Sequence, residues 1–246
     1  MPLSSQEVRR IGTDLGRQIE LLDRWGFTLI TFGDYRHFLK GDLHLPRKPL
    51  VLTFDDCIRN VHQSVLPVLQ VGGTRAIVFA VTGTTPPSAG HSLHTPPGVL
   101  PFDGEHLLAL QEAGCEIGSL TCTNRPLTLL APEASQNELL RSKEILEGLL
   151  GASVFSLAYP ADMVSPEVKR LAAETGFEFA VCGATGNSVF GDDLFEIPRH
   201  TIRPTTGTVG LALRAFAPVN RFERLRQRSV SRLGRDVERM SPETMQ

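Results

Sequence analysis

Cysteine is scarce in this chain: Cys57, Cys115, Cys122 and Cys182 are the only four in 246 residues. They are too few and too scattered for the disulfide framework of a small secreted domain, and no Cys-x-x-Cys pair marks a zinc ribbon. An excess of charge is also missing. A formal net charge of −2 provides no broad positive field for nucleic acid. No run of about 18 apolar residues occurs, so nothing reads as a membrane-spanning helix. Residues 1–10 are polar and lack the apolar core of a secretory leader, which leads us to expect a soluble, cytoplasmic protein. Internal repeats and a domain-splitting linker are absent too. A chain this long fits one large α/β domain that buries roughly 70% of its unfolded surface without staples.

What is present alternates between strand and helix. Residues 5–25 read as a helix with Ile11, Leu15, Ile19 and Leu22 on one face. A strand over 27–30 follows, then a helix through Tyr35, Phe38 and Leu39. A strand over 49–54 leads to a helix over 61–71 that Gly72-Gly73 ends. Residues 75–81 are apolar and β-rich. Residues 83–101 hold five prolines and read as a long loop. A helix over 102–113 stops before Gly114, and 115–120 is a strand. The helix over 132–150 has Pro132 in its first turn and Gly151 just past its end. Strands over 154–159 and 177–182 flank a helix over 166–175, and 197–202 closes the series. Five or more β-α units predict a parallel sheet or barrel, in which the loops after the strands share one face. That face gathers Asp55 and Asp56, the 83–101 loop, 120–126, 159–162 and the segment near residue 185.

The most informative stretch is Val51-Leu52-Thr53-Phe54-Asp55-Asp56. A buried strand that ends in two carboxylates delivers them to the rim of the sheet. Such a pair suits hydrolysis, with one Asp as general base and the other as metal ligand. It equally suits a helix N-cap with an acid in the first turn.

The motifs resemble those of the polysaccharide deacetylases of carbohydrate esterase family 4, the nodulation-type chitooligosaccharide deacetylases. The resemblance covers residues 5–215. Thr53-Phe54-Asp55-Asp56-Cys57 matches T-F-D-D-G in all but the glycine. Glu116-Ile117-Gly118-Ser119 matches the lead-in to H-[ST]-x-x-H, but Leu120-Thr121-Cys122-Thr123-Asn124 follows. Ala158-Tyr159-Pro160-Ala161-Asp162 matches the first half of A-Y-P-Y-G.

The resemblance implies a single-domain, distorted (β/α)7 barrel, TIM-like, over residues 1–218, which removes N-acetyl groups from amino sugars. It makes Asp55 the candidate base and Asp56 the surviving ligand of a zinc-like divalent metal. Leu120 and Asn124 stand at the two histidine places. Thr121, Tyr159, Pro160 and Ala161 become candidate substrate contacts, with the Ala161 N–H facing the oxyanion. Cys57 and Asp162 replace glycines. The late catalytic histidine has no clear counterpart. His200 is a weak candidate acid, and an ordinary strand-end residue is its other reading.

Leu offers a metal no lone pair, and Asn offers one neutral carbonyl. Structural four-ligand zinc sites are worth roughly 10–16 kcal/mol, so two lost ligands cost about 6–8 kcal/mol, or four to six decades of affinity. An aspartate base alone supplies only about 10²–10⁴-fold. The sequence therefore leads us to expect a deacetylase-fold protein of carbohydrate metabolism without a resident cofactor. Its metal-dependent activity is lost, and it binds an amino-sugar glycan or a protein partner. The alternative is an active carbohydrate N-deacetylase with a remodelled site, using Asp55 and a divalent metal. Weaker metal alternatives are His91 with His94 in the long loop and Cys57 with Cys122 in neighbouring motif loops. Residues 219–246 form a basic tail that reads as helical. Seven arginines lie between 221 and 239, which suits a partner surface or a terminal helix packed on the barrel.

Overall fold

The computed structural model describes residues 5–55, 63–83, 104–183 and 193–216. The strands are β1 (Thr28–Ile30), β2 (Pro49–Val51), β3 (Thr53–Asp55), β4 (Ile77–Ala80), β5 (Glu116–Ser119), β6 (Ser156–Ala158), β7 (Phe179–Gly183) and β8 (Ile197–Arg199). Among the described residues, β3 to β8 pair in chain order as a six-stranded parallel sheet, and β1 pairs with β2. The helices are α1 (Ser5–Arg24), α2 (Phe32–Leu39), α3 (Leu66–Gly72), α4 (Gly104–Glu112), α5 (Pro132–Leu150), α6 (Pro166–Glu174) and α7 (Thr208–Phe216). The sheet curls into a half-barrel with helices around it, the barrel-like α/β architecture expected from the β-α alternation. The long loop and the basic tail lie outside the described residues.

Two details depart from the expected pattern. The strand expected over 49–54 is two strands, β2 and β3. Its first half pairs with β1 and its second with β4, and at the break the Leu52 carbonyl accepts the Ile77 N–H at 2.9 Å. The run thus changes its ladder partner at Leu52, from β1 on one side to β4 on the other. The second departure is α7, which stands where no element was expected. Gly210 in its first turn weakens the helical signal, and packing supplies the rest. Leu211 is buried, and the Phe216 ring lies 5.5 Å from Trp25 and 5.2 Å from Phe27.

The alternation of strand side chains divides the core in two. Val78, Ala80, Ile117, Leu157, Tyr159, Ala180 and Cys182 face the helices, where Leu107, Leu110, Leu139 and Leu146 cover them. Ile77, Phe79, Leu120, Ala158, Phe179, Val181 and Ile197 face the interior of the curl. Gly118 lies on this inner side, where a Cβ would sit 2.5 Å from the Phe79 ring. Every residue of β4 is buried, as expected of a strand covered on both faces.

α2 stoppers the N-terminal end of the strands. Phe32 stacks on Phe179 at 5.0 Å. Arg36 forms a two-bond pair with Glu178, at 2.8 and 2.6 Å, just ahead of β7. Arg75 pairs with Asp34, whose other carboxylate oxygen closes the capping box with Thr31. Glu116, the first residue of β5, accepts the Gly33 N–H at 2.8 Å and the Ser156 hydroxyl at 2.7 Å.

Burial pushes the Glu116 carboxyl up from its ordinary value. The bonds from Ser156, Gly33 and Thr31 oppose the shift, and the charge of Asp34 adds to it. A raised folded value means that the contribution of Glu116 to stability is present below the unfolded value of 4.5 and is lost as pH rises through the folded one. Glu116→Gln keeps an acceptor for Gly33 and removes the titration. Its stability relative to wild type, measured by urea denaturation across pH 4 to 7, is expected to improve steadily as pH rises. A relative gain that grows toward acid would contradict this origin.

Candidate functional site

The C-terminal ends of the strands carry the polar groups. Asp55 ends β3 and Arg199 ends β8, on the two outer strands of the six-stranded sheet. The register places Asp55 beside Phe79 and Arg199 beside Gly183, so both side chains share the inner face. They meet there. Arg199 Nη1 donates to Asp55 Oδ1 and Nη2 to Oδ2, both at 2.6 Å. Nη1 also donates to Thr53 Oγ1 at 3.2 Å, and the guanidinium sits 5.7 Å from the centroid of the Phe79 ring. Asp162 Oδ1 lies 3.6 Å from Nη2. The Arg199 side chain is 20% exposed, while Asp55 and Asp162 are 37% and 43% exposed. Burial draws the guanidinium down, but the bonds and charge of Asp55, followed by Asp162, outweigh it and hold the group above its ordinary value.

This pair was not anticipated. The sequence gives Asp55 no evident cation, and the structure supplies one from 144 residues away. The available signal was an arginine two residues after the inward Ile197, and so of the same strand parity. The segment entering β8 is fixed in turn. Lys169 on α6 bonds Asp193 at 2.8 Å and Glu196 at 2.7 Å, and the Phe195 N–H bonds Asp193 at 2.8 Å. The bonds to Asp193 and Glu196 raise the Lys169 ammonium above its ordinary value. Burial pushes Asp193 up, but the Lys169 bond and the Phe195 amide win and hold it low.

The loop after β5 is closed on itself. Leu120 is 3% exposed and belongs to the inner apolar cluster with Phe79, Ala158 and Val181. Thr121 is fully buried in a left-handed conformation, φ 61°. Its N–H donates to Ser119 Oγ at 3.0 Å, and its hydroxyl accepts the Asn124 N–H at 3.2 Å. Asn124 is also left-handed, φ 53°. Glu138 on α5 accepts the N–H and hydroxyl of Thr123 at 2.8 and 2.9 Å. The side chain of Thr121 therefore braces the loop. Cys122 is buried and accepts a hydrogen bond from Thr82 at 3.4 Å. Burial pushes its thiol up, and the Thr82 bond only partly opposes this. A thiol kept protonated makes a poor metal ligand, since the thiolate is the binding form.

The loop after β6 starts from a buried aromatic residue. The Tyr159 side chain is 1% exposed and packs in the outer core with Leu157 and Cys182. Strand parity turns it away from the inner face. Its hydroxyl is buried with no hydrogen-bond partner among the described residues, and burial pushes it well above its ordinary value. Pro160 is buried, whereas Ala161 is exposed with φ 55°. His200 follows β8, half-buried, and the inward place beside Asp55 belongs to its neighbour Arg199. Asp56, Cys57, His91 and His94 lie outside the described residues. Among those described, no three His, Cys, Asp or Glu side chains gather as a metal-holding group.

Comparison with known proteins places this geometry. Residues 42–180 match the family model of the polysaccharide deacetylases. YxkH of Bacillus subtilis strain 168, whose name assigns it to the polysaccharide deacetylases, is 24% identical over 191 residues, covering 78% of this chain and 64% of its own. The chain thus spans under two thirds of that relative. The Streptococcus pyogenes deacetylase PplD, solved with acetate, shares the fold at a TM-score of 0.70 and 18% identity, over 83% of this chain and 86% of its own. IcaB from Ammonifex degensii shares it at 0.66 and 21%, over 88% and 93%. A polysaccharide deacetylase from Bacillus cereus shares it at 0.67 and 22%, over 83% and 61%. With more than half of its length matched by the family model, the chain belongs to the polysaccharide deacetylase family.

Proposed function

We propose that this protein is a polysaccharide deacetylase homologue that binds an amino-sugar glycan without removing its acetyl groups by the family's metal-dependent route. The observation that carries the reading is Leu120. The resemblance assigns a metal-binding imidazole to this position. Here a leucine faces the inner side of the sheet, sealed among Phe79, Ala158 and Val181. Asn124 offers only an amide, on a loop whose backbone is committed to Thr121. Asp56 is the remaining family ligand, and one carboxylate does not hold zinc. This donor set does not fit a resident metal, and no catalytic step is routed through one.

A second reading rests on Asp55. Its two-bond pair with Arg199 fixes a carboxylate at the strand end, where a base for amide hydrolysis would stand. Under that reading the protein remains a hydrolase with a remodelled site.

One variant separates the two. Asp55→Asn leaves the Arg199 guanidinium with one neutral acceptor in place of a carboxylate. It should lower stability by about 1–2 kcal/mol, between the values for exposed and buried pairs. Affinity for chitooligosaccharides, measured by calorimetry, should stay within about threefold, and neither form should release acetate with zinc supplied. Acetate release by wild type that Asp55→Asn abolishes would establish the hydrolase instead.

The lost-ligand reading also predicts a gain. Leu120→His with Asn124→His should raise zinc affinity by about a hundredfold or more, because each ligand contributes several kcal/mol. Melting curves verify that the double variant folds. A folded double variant with the zinc affinity of wild type would mean that position 120 is not the ligand place.

A further inference from the structure

The turn after β6 holds two consecutive left-handed residues. Ala161 has φ 55° and ψ 19°, and Asp162 has φ 57°. The Tyr159 carbonyl accepts the Asp162 N–H at 3.0 Å, and the Pro160 carbonyl accepts the Met163 N–H at 3.2 Å. The second of these turns has Ala161 and Asp162 as its central pair, the type I′ arrangement usually built with Asn-Gly. Glycine is the natural occupant of position 162, because a Cβ is disfavoured there. The chain carries an aspartate instead.

The Asp162 carboxylate has a defined place. Oδ1 lies 3.6 Å from Arg199 Nη2 as an ion pair, while the same nitrogen donates its hydrogen bond to Asp55 at 2.6 Å. Oδ2 lies over Gly183, where a Cβ would approach to 2.7 Å. The last residue of β7 is thus the one residue type that leaves room for this side chain. An aspartate where the backbone favours glycine faces a glycine where a side chain would collide with the aspartate. The two positions are complementary, and Gly183 is also the register partner of Arg199.

We propose that Asp162 is a positioning residue that holds the Arg199 guanidinium onto Asp55 across the open edge of the sheet. Asp55 holds both terminal nitrogens of the guanidinium, and the Asp162 carboxylate stands 3.6 Å from Nη2, so its charge opposes a swing of that nitrogen out of the two-bond pair. The electrostatic balance at Arg199 agrees: burial opposes its charge, and Asp55 followed by Asp162 restores it. The inference concerns the geometry of the pair and does not depend on whether the site takes a glycan.

Nitrogen NMR of arginine side chains in the full chain tests it. Arg199→Lys assigns the Arg199 signals. Asp162→Asn keeps the size of the side chain and its tolerance of the left-handed turn but removes the charge. Asp162→Gly removes the side chain and relaxes the backbone, and Gly183→Ala leaves residue 162 unchanged but displaces its carboxylate. Hindered rotation about Cζ–Nε, seen as separate Nη1 and Nη2 resonances, is expected in wild type. Rotation should be about tenfold faster in all three variants, a barrier change of the size expected for one charged contact. Asp162→Glu, which can reach the same nitrogen, should recover part of the restraint. Averaged Nη signals in wild type, or equal rotation rates in wild type and folded variants, would overturn the proposal and leave Asp162 as a turn residue alone.

Discussion

Arg199 spans the gap between the two edges of the six-stranded sheet. β3 and β8 are not neighbours in the ladder, yet one guanidinium reaches both carboxylate oxygens of Asp55 and the hydroxyl of Thr53. That contact requires the sheet to curl until its edges lie within one side chain of each other. The inner apolar cluster follows from the same curl, because Phe79, Phe179 and Val181 can meet only on a concave face. A charged pair is worth little in water. Here one partner is mostly buried over an aromatic ring, so the pair has geometric value beyond its energy. It turns an open edge into a closed one without backbone hydrogen bonds.

The two ends of the half-barrel differ in kind. At the N-terminal end, α2 is held by bonds and ion pairs to residues at or just before β4, β5 and β7, and its aromatic residues fill the interior. At the C-terminal end, the four non-glycine residues with positive φ among those described, Thr121, Asn124, Ala161 and Asp162, all lie in the loops after β5 and β6. Strain of this kind persists where the surroundings dictate it, and it clusters at functional sites. The fold thus keeps a stable base and an over-determined rim.

Much of this was legible in the residues. α5 begins and ends where Pro132 and Gly151 signal, and the inward and outward faces of β4 follow from simple alternation. The polarity of the curl follows from β-α order, which places Asp55 and the 120–126 and 159–162 loops at one end. The split at Leu52 was not legible, because both halves of the run have the same apolar character and only pairing distinguishes them. Arg199 was hidden by sequence distance, since nothing local to residue 199 points to residue 55. The side of the sheet that Tyr159 occupies was legible only from strand parity. Its motif drew attention to the residue, whereas its parity, shared with Leu157, assigns the ring to the outer core.

Membership of the polysaccharide deacetylase family fixes the scaffold, and the chemistry depends on side chains grafted onto it. The central claim is that this chain keeps the scaffold and the strand-end aspartate while an apolar residue fills the place of a metal ligand. Metal content bears on it most directly. Protein purified without an affinity tag and equilibrated with zinc would be dialysed and analysed by elemental mass spectrometry. The account predicts far less than one zinc per chain, with nickel and cobalt no better retained. One tightly held zinc per chain would contradict it, and the loss of that zinc in Asp56→Ala would locate the metal at the family's own site.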